Sequence, residues 1–186
     1  MRGPAAAIAL CAAACGGAPG AGLAEDATFI AFERDFQAFR SWEAFPVAAA
    51  PNAASVHLNG PRTEYLSRRP TAESRDKGSF PVGTIVVKEI ESSAVLAERV
   101  IFAMVKRGGA YNLTGAAGWE WFELQNRADG SVAILWRGVG PPSGVCSYGS
   151  AADGGCNDCH RGSAANDFVH PEGLDLAQLV GPPGGP

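Results

Sequence analysis

Methionine and histidine are scarce in this chain of 186 residues. Apart from Met1 the only methionine is Met104, and the histidines are His57, His160 and His170. A site built on a thioether ligand therefore has one candidate, and core packing is the commoner use of a lone methionine. A basic surplus is missing as well: 15 Lys and Arg stand against 19 Asp and Glu, for a formal net charge of −4 and a pI near 5.4. That balance leaves no electrostatic footprint for nucleic acid. The small apolar stretch near the start, Ala5 to Ala14, is too short to span a bilayer. No βαβ pattern surrounds the closest pair of C-terminal cysteines, which removes the usual setting of a thiol redox couple.

What is present begins with a leader. Arg2 followed by the apolar stretch predicts an export signal over residues 1–24. Two cleavage sites compete in it. Ala12-Ala13-Ala14-Cys15 resembles a bacterial lipobox, with Ala12 where Leu is usual, and Gly16-Gly17 and Pro19 would then form a tether. Gly22-Leu23-Ala24 would instead suit ordinary signal peptidase. The lipoprotein site is preferred because Cys15 has little other reason to sit there, and Cys11 is discarded with the signal. The expected location is the bacterial cell envelope, as a periplasmic or outer-membrane lipoprotein whose membrane contact is the lipid on Cys15. Residues 25–180 are then one domain, since 46% hydrophobic and 18% charged residues suit a globular chain. The Pro- and Gly-rich residues 181–186 read as a disordered tail.

The chemically informative stretch is Cys156-Asn157-Asp158-Cys159-His160. Thiols three residues apart on one helical turn reach the same edge of a macrocycle, and a histidine directly after them can ligate its metal from below. This is the pattern of covalent attachment of one haem c, with Cys156 and Cys159 as thioether anchors and His160 as the proximal iron ligand. A disulfide, or a zinc site completed by Cys146 or His170, is the alternative. Cys146 is the third mature cysteine, and its state stays open in an oxidising compartment.

Periodicity supplies the rest. Phe29, Phe32, Phe36, Phe39 and Trp42 recur at helical spacing and predict an N-terminal amphipathic helix from Glu25 to Pro46, with the aromatic stripe as core. Residues 55–79, with Arg62, Arg68, Arg69, Arg75 and Lys77, read as extended and loop segments with solvated charges. Strands are predicted over Thr84–Ile90, Arg99–Val105, Trp119–Gln125 and Ser131–Arg137, the last two joined by an Asp129-Gly130 turn, with a Gly-rich loop over Gly108–Gly118. The fold class is α+β: mainly antiparallel β-sheet, the N-terminal helix in front and a short C-terminal haem-attachment helix behind. Alternation puts Lys88 on one strand face with Val86 and Ile90, and Glu89 on the other. Lys88 is either near the solvent end of a two-sided strand or directed into a pocket that would favour its neutral, nucleophilic amine. Glu120 and Glu123 fall on opposite faces of their strand, and either would take protons from a substrate if its face were the site.

Taken in order, Pro81-Val82-Gly83-Thr84-Ile85-Val86-Val87-Lys88-Glu89, Phe102-Ala103-Met104-Val105-Lys106, Gly118-Trp119-Glu120-Trp121-Phe122 and the Cys156 to His160 motif followed by Asp167-Phe168-Val169 resemble the cytochrome P-460 family, over about residues 55–170. The resemblance implies a β-sheet c-type cytochrome, often homodimeric. It implies either hydroxylamine oxidation at a haem cross-linked to a lysine, for which Lys88 is the position to examine, or, as in the related β-sheet cytochromes c′, binding of nitric oxide or carbon monoxide. The electron partner is not implied. His170 stands where the family more often has an aromatic, and the loop Gly138–Gly155 is longer than usual.

Overall fold

The structure is a computed structural model that describes residues 27–49, 60–142 and 155–181. Cys11, Cys15, His57, Cys146, the leader and the tail after Gly181 lie outside the described residues. Six strands form one antiparallel sheet in chain order: β1 (Glu43–Val47), β2 (Arg62–Leu66), β3 (Ile85–Ile90), β4 (Val100–Lys106), β5 (Trp119–Asn126) and β6 (Val132–Gly138). Helix α1 (Ala72–Lys77) lies between β2 and β3, and α2 (Gly155–Arg161), α3 (Pro171–Leu174) and α4 (Leu176–Val180) follow the sheet. The mainly antiparallel α+β class is as expected.

Alternation along these strands gives two apolar faces, and the two ends of the chain cover one each. Ile85, Val87, Ile101, Ala103, Val105, Phe122 and Leu124 meet Ala31, Phe36 and Phe39 from the N-terminal segment. On the opposite face Leu66, Val86, Met104, Trp119 and Trp121 meet Val169, Leu174, Leu176 and Leu179 from the C-terminal segment. Both faces are therefore interior, which is why β3 carries hydrophobic residues on both of them, Ile85 and Val87 on one and Val86 and Ile90 on the other.

The expected N-terminal helix is not one continuous α-helix. Two short 3-10 helices, Glu33–Phe36 and Phe39–Ser41, replace it. Gln37 and Ala38 link the two, and Phe36 and Phe39 both enter the same core. Phe36 meets Phe122 with ring centroids 5.2 Å apart, and Phe39 meets Tyr65 edge-on at 5.1 Å. Phe32 stays 48% exposed and leaves the stripe. Pro46 ends no helix: it sits in β1, an edge strand, where a missing N–H can face away from the ladder.

Residues 60–79 also hold more order than their charges suggest. In β2, Arg62 and Glu64 point inward as a buried pair at 3.4 Å. Helix α1 starts at Thr71, whose hydroxyl accepts from Ser74 N at 3.3 Å, and stops at Gly78, whose φ of 63° suits the left-handed cap. The Asp129-Gly130 turn is present. Gly130 adopts φ 83°, and Asp129 Oδ1 accepts from Ser131 N at 2.9 Å.

Candidate functional site

Helix α2 carries both thiols and the histidine onto the face covered by the C-terminal segment. Cys156 and Cys159 are free thiols, the first half-buried against that core and the second exposed. Burial pushes the Cys156 thiol up to about 11, although the nearby Lys88 ammonium opposes the shift. His160 Nδ1 lies 2.6 Å from the Phe168 carbonyl oxygen, and its ring packs on Trp121 at a centroid distance of 4.5 Å. A carbonyl only accepts, so Nδ1 holds the proton and the lone pair of the neutral ring is on Nε2.

The register shows which other residues share this face. One row runs straight across all six strands: Phe45, Glu64, Lys88, Phe102, Glu123 and Trp136. Lys88 is thus directed inward on the side of α2, with its Nζ 5.7 Å from the Phe102 ring centroid. It has no hydrogen-bond or ion-pair partner among the described residues. Burial lowers its pKa, opposed by the carboxylate of Glu64, and Cys156 and Cys159 are close enough to act on it electrostatically. Burial in turn raises the pKa of Glu64, with Lys88 and Arg62 opposing.

The two acidic candidates separate by parity. Glu123 belongs to the row with Lys88, and its Oε2 accepts from Trp136 Nε1 at 2.7 Å. Glu120 does not: it lies on the opposite face, where Arg137 holds it at 2.7 Å and Arg107 at 3.2 Å. The sheet itself separates Glu120 from α2, so the structure removes it from the site. Phe122 lies on the Glu120 face, whereas Phe102, Trp119 and Trp121 share the face of α2. Met104 is buried in the core of the α2 face. His170 is half-buried beside the motif: its ring lies 4.3 Å from that of His160, its Nδ1 is 2.9 Å from Ser163 Oγ, its Nε2 is 3.8 Å from Cys159 Sγ, and burial lowers its pKa.

Three residues of the site were not legible as such. Glu64 looked like one more charge in a polar stretch, and only its pairing with Lys88 reveals it. Asn157 occupies a variable position of the cysteine motif, yet its side chain is the centre of a small network. Its Oδ1 accepts from Asn112 Nδ2 at 2.8 Å, Trp121 Nε1 at 2.9 Å and Ala116 N at 3.1 Å. Its Nδ2 donates to Asn112 Oδ1 at 3.1 Å and Val139 O at 2.9 Å. Gly115 packs so close that a Cβ there would overlap the Asn157 amide. The third is Asp167, at φ 52° and followed by Phe168 at φ 64°. Non-glycine residues in the left-handed region cost on the order of 1–3 kcal/mol each and persist where surrounding contacts impose them.

This donor set suits haem c: two free thiols a turn apart, an imidazole with Nδ1 engaged, and aromatic side chains on the shared face. Among the described residues no group of three or more His, Cys, Asp and Glu side chains is arranged to hold a metal ion by itself. Comparison with models of known protein families, with curated proteins and with solved structures gives no match for this chain.

Proposed function

We propose that this chain is an exported mono-haem c-type cytochrome of the P-460 kind, which binds and oxidises small nitrogen compounds such as hydroxylamine. The observation that carries the reading is the convergence of Lys88 with Cys156 and Cys159: an inward amine, without a hydrogen-bond partner among the described residues, faces the two attachment thiols. A solvated lysine would need no such place, and keeping one there disfavours its charged form.

Cys156 and Cys159 would hold the group by thioethers and His160 would ligate its iron through Nε2. When bound, the haem supplies an electron acceptor for a coordinated substrate. The chain supplies the rest. Phe102, Trp119 and Trp121 exclude water from the face, and Glu64 and Glu123 stand in or beside the Lys88 row as proton acceptors for an N–H or O–H group. Lys88, held toward its neutral form, is placed to present its amine lone pair on the face that would hold the group. Export, and a lipid on Cys15, remain part of the proposal on the leader sequence alone.

Gas binding without turnover is the second reading, favoured by the burial of Met104 in the core and by the aromatic wall. One experiment separates the two. The chain is matured with haem in a bacterial periplasm, and its intact mass and its ferric, ferrous and alkaline pyridine spectra are recorded. Covalent haem, a strongly red-shifted ferrous Soret band that Lys88→Ala abolishes, and hydroxylamine turnover support the enzyme. Covalent haem with an ordinary high-spin spectrum, unchanged by Lys88→Ala and taking up nitric oxide or carbon monoxide, transfers the assignment to gas binding. A mass without haem despite competent maturation overturns both.

A further inference from the structure

The carbonyl that accepts from His160 belongs to a tight backbone turn closed by Phe168 N to Ser163 O at 2.9 Å and Val169 N to Asn166 O at 3.1 Å. Asp167 and Phe168 are both left-handed, and neither is glycine. Asp can take that conformation readily, whereas a bulky aromatic seldom does. The Asp167 carboxylate anchors this turn to the sheet. Its Oδ2 accepts from Phe80 N at 2.8 Å and from Ser79 Oγ at 3.1 Å, both in the segment before β3. Its Oδ1 meets Lys106 Nζ at 2.7 Å, with both side chains more than nine-tenths buried. Lys106 closes β4, and its Nζ also donates to Ala117 O at 3.3 Å. Two segments remote in sequence from the cysteine motif thus converge on the residue next to the accepting carbonyl.

We propose that the buried Lys106–Asp167 pair is the positioning device for His160. It fixes the Phe168 carbonyl, and through that hydrogen bond it sets the orientation and electron-donating strength of the imidazole. The inference rests on the haem reading above and extends it to residues that touch neither the haem nor its substrate. The physical basis is the short Nδ1–H···O contact: the firmer the acceptor, the more imidazolate-like the ring and the stronger its support of ferric over ferrous iron. Loosening the pair weakens that bond, so the iron–histidine stretch falls and the midpoint potential rises.

The test uses the haem-loaded protein. Resonance Raman of the ferrous form and a redox titration are compared for the native chain, Asp167→Asn, Lys106→Met and Lys106→Arg. Expected are a lower iron–histidine frequency and a higher potential for Asp167→Asn and Lys106→Met, with recovery toward native values in Lys106→Arg, which keeps the cation. Should the first two fail to fold, Ser79→Ala, which removes one donor to Asp167 and no charge, gives a smaller shift in the same direction. Loaded, folded variants with native frequency and potential overturn the inference while leaving the haem reading intact. A native chain whose intact mass carries no haem overturns that reading first, and this inference with it.

Discussion

At the scale of single residues, one amide, that of Asn157, ties helix α2 to the sheet and its loops. Asn157→Ala removes five hydrogen bonds and leaves Trp121 Nε1, Ala116 N and the Asn112 amide to find water or go unpaired. A loss of about 2–4 kcal/mol follows, each stranded buried group costing roughly 1–3 kcal/mol and relaxation recovering part. Urea unfolding measures it. Gly115→Ala acts on the same contact from the other side, and overpacking of this kind costs about 1–3 kcal/mol. Because the overlap is with the Asn157 amide, that cost shrinks in the Asn157→Ala background. Additive losses in the double mutant would show that Gly115 is needed for another reason. Lys88 makes a prediction in pH. Its pKa is lowered in the folded chain, so the unfolded chain binds the proton more tightly. Its destabilising effect is full below the folded pKa and is relieved as the pH rises toward the ordinary lysine value of 10.5. In the chain made without haem, Lys88→Met is therefore more stable than the native chain near neutrality. The difference narrows in alkali, and a constant difference across that range would assign the effect to packing instead of charge.

At the scale of elements, legibility followed the clarity of alternation. Strands β3 to β6 were readable because β-branched and aromatic residues recur there, and Asp129-Gly130 marks the last hairpin. Strand β2 was not, because Arg62 and Glu64 are the residues it buries, and inward charge looks like surface charge until strand pairing shows its direction. Strand β1 was hidden by Pro46, and the aromatic stripe before it fits a 3-10 repeat as well as an α-helical one over so short a span. Of the site, Cys156, Cys159 and His160 were legible because two cysteines three apart with a histidine directly after them form a spacing that one helical turn brings together. Asn157, Glu64 and Asp167 were not, since long-range contacts alone define them. The hairpin offers a clean measurement. A Cβ on Gly130 meets no atom within 4 Å, so Gly130→Ala isolates the backbone cost of φ 83°. About 1–2 kcal/mol is expected to be lost, with the absorption spectrum of the loaded protein unchanged. A loss near zero would mean that the turn readjusts.

At the scale of the whole molecule, one sheet serves two interiors, and each chain end closes one of them. Ending the chain at residue 142 removes α2, α3 and α4 and exposes Leu66, Phe80, Val86, Met104, Trp119 and Trp121 together. An apolar area of that kind is an association hazard, so the truncated chain is expected to bind a hydrophobic dye and to self-associate in sedimentation. A monomeric truncation that unfolds cooperatively would show that the α2 face needs no cover. The order of the strands adds a matter of timing. Every neighbour in this sheet is also a neighbour in sequence, so pairing from β1 to β6 can follow the chain as it is synthesised. The inner face bearing Lys88 stays open throughout, because the segment that roofs it follows β6 in the chain. The site is a room finished except for its ceiling, and whatever is to be enclosed has until residue 181 to enter.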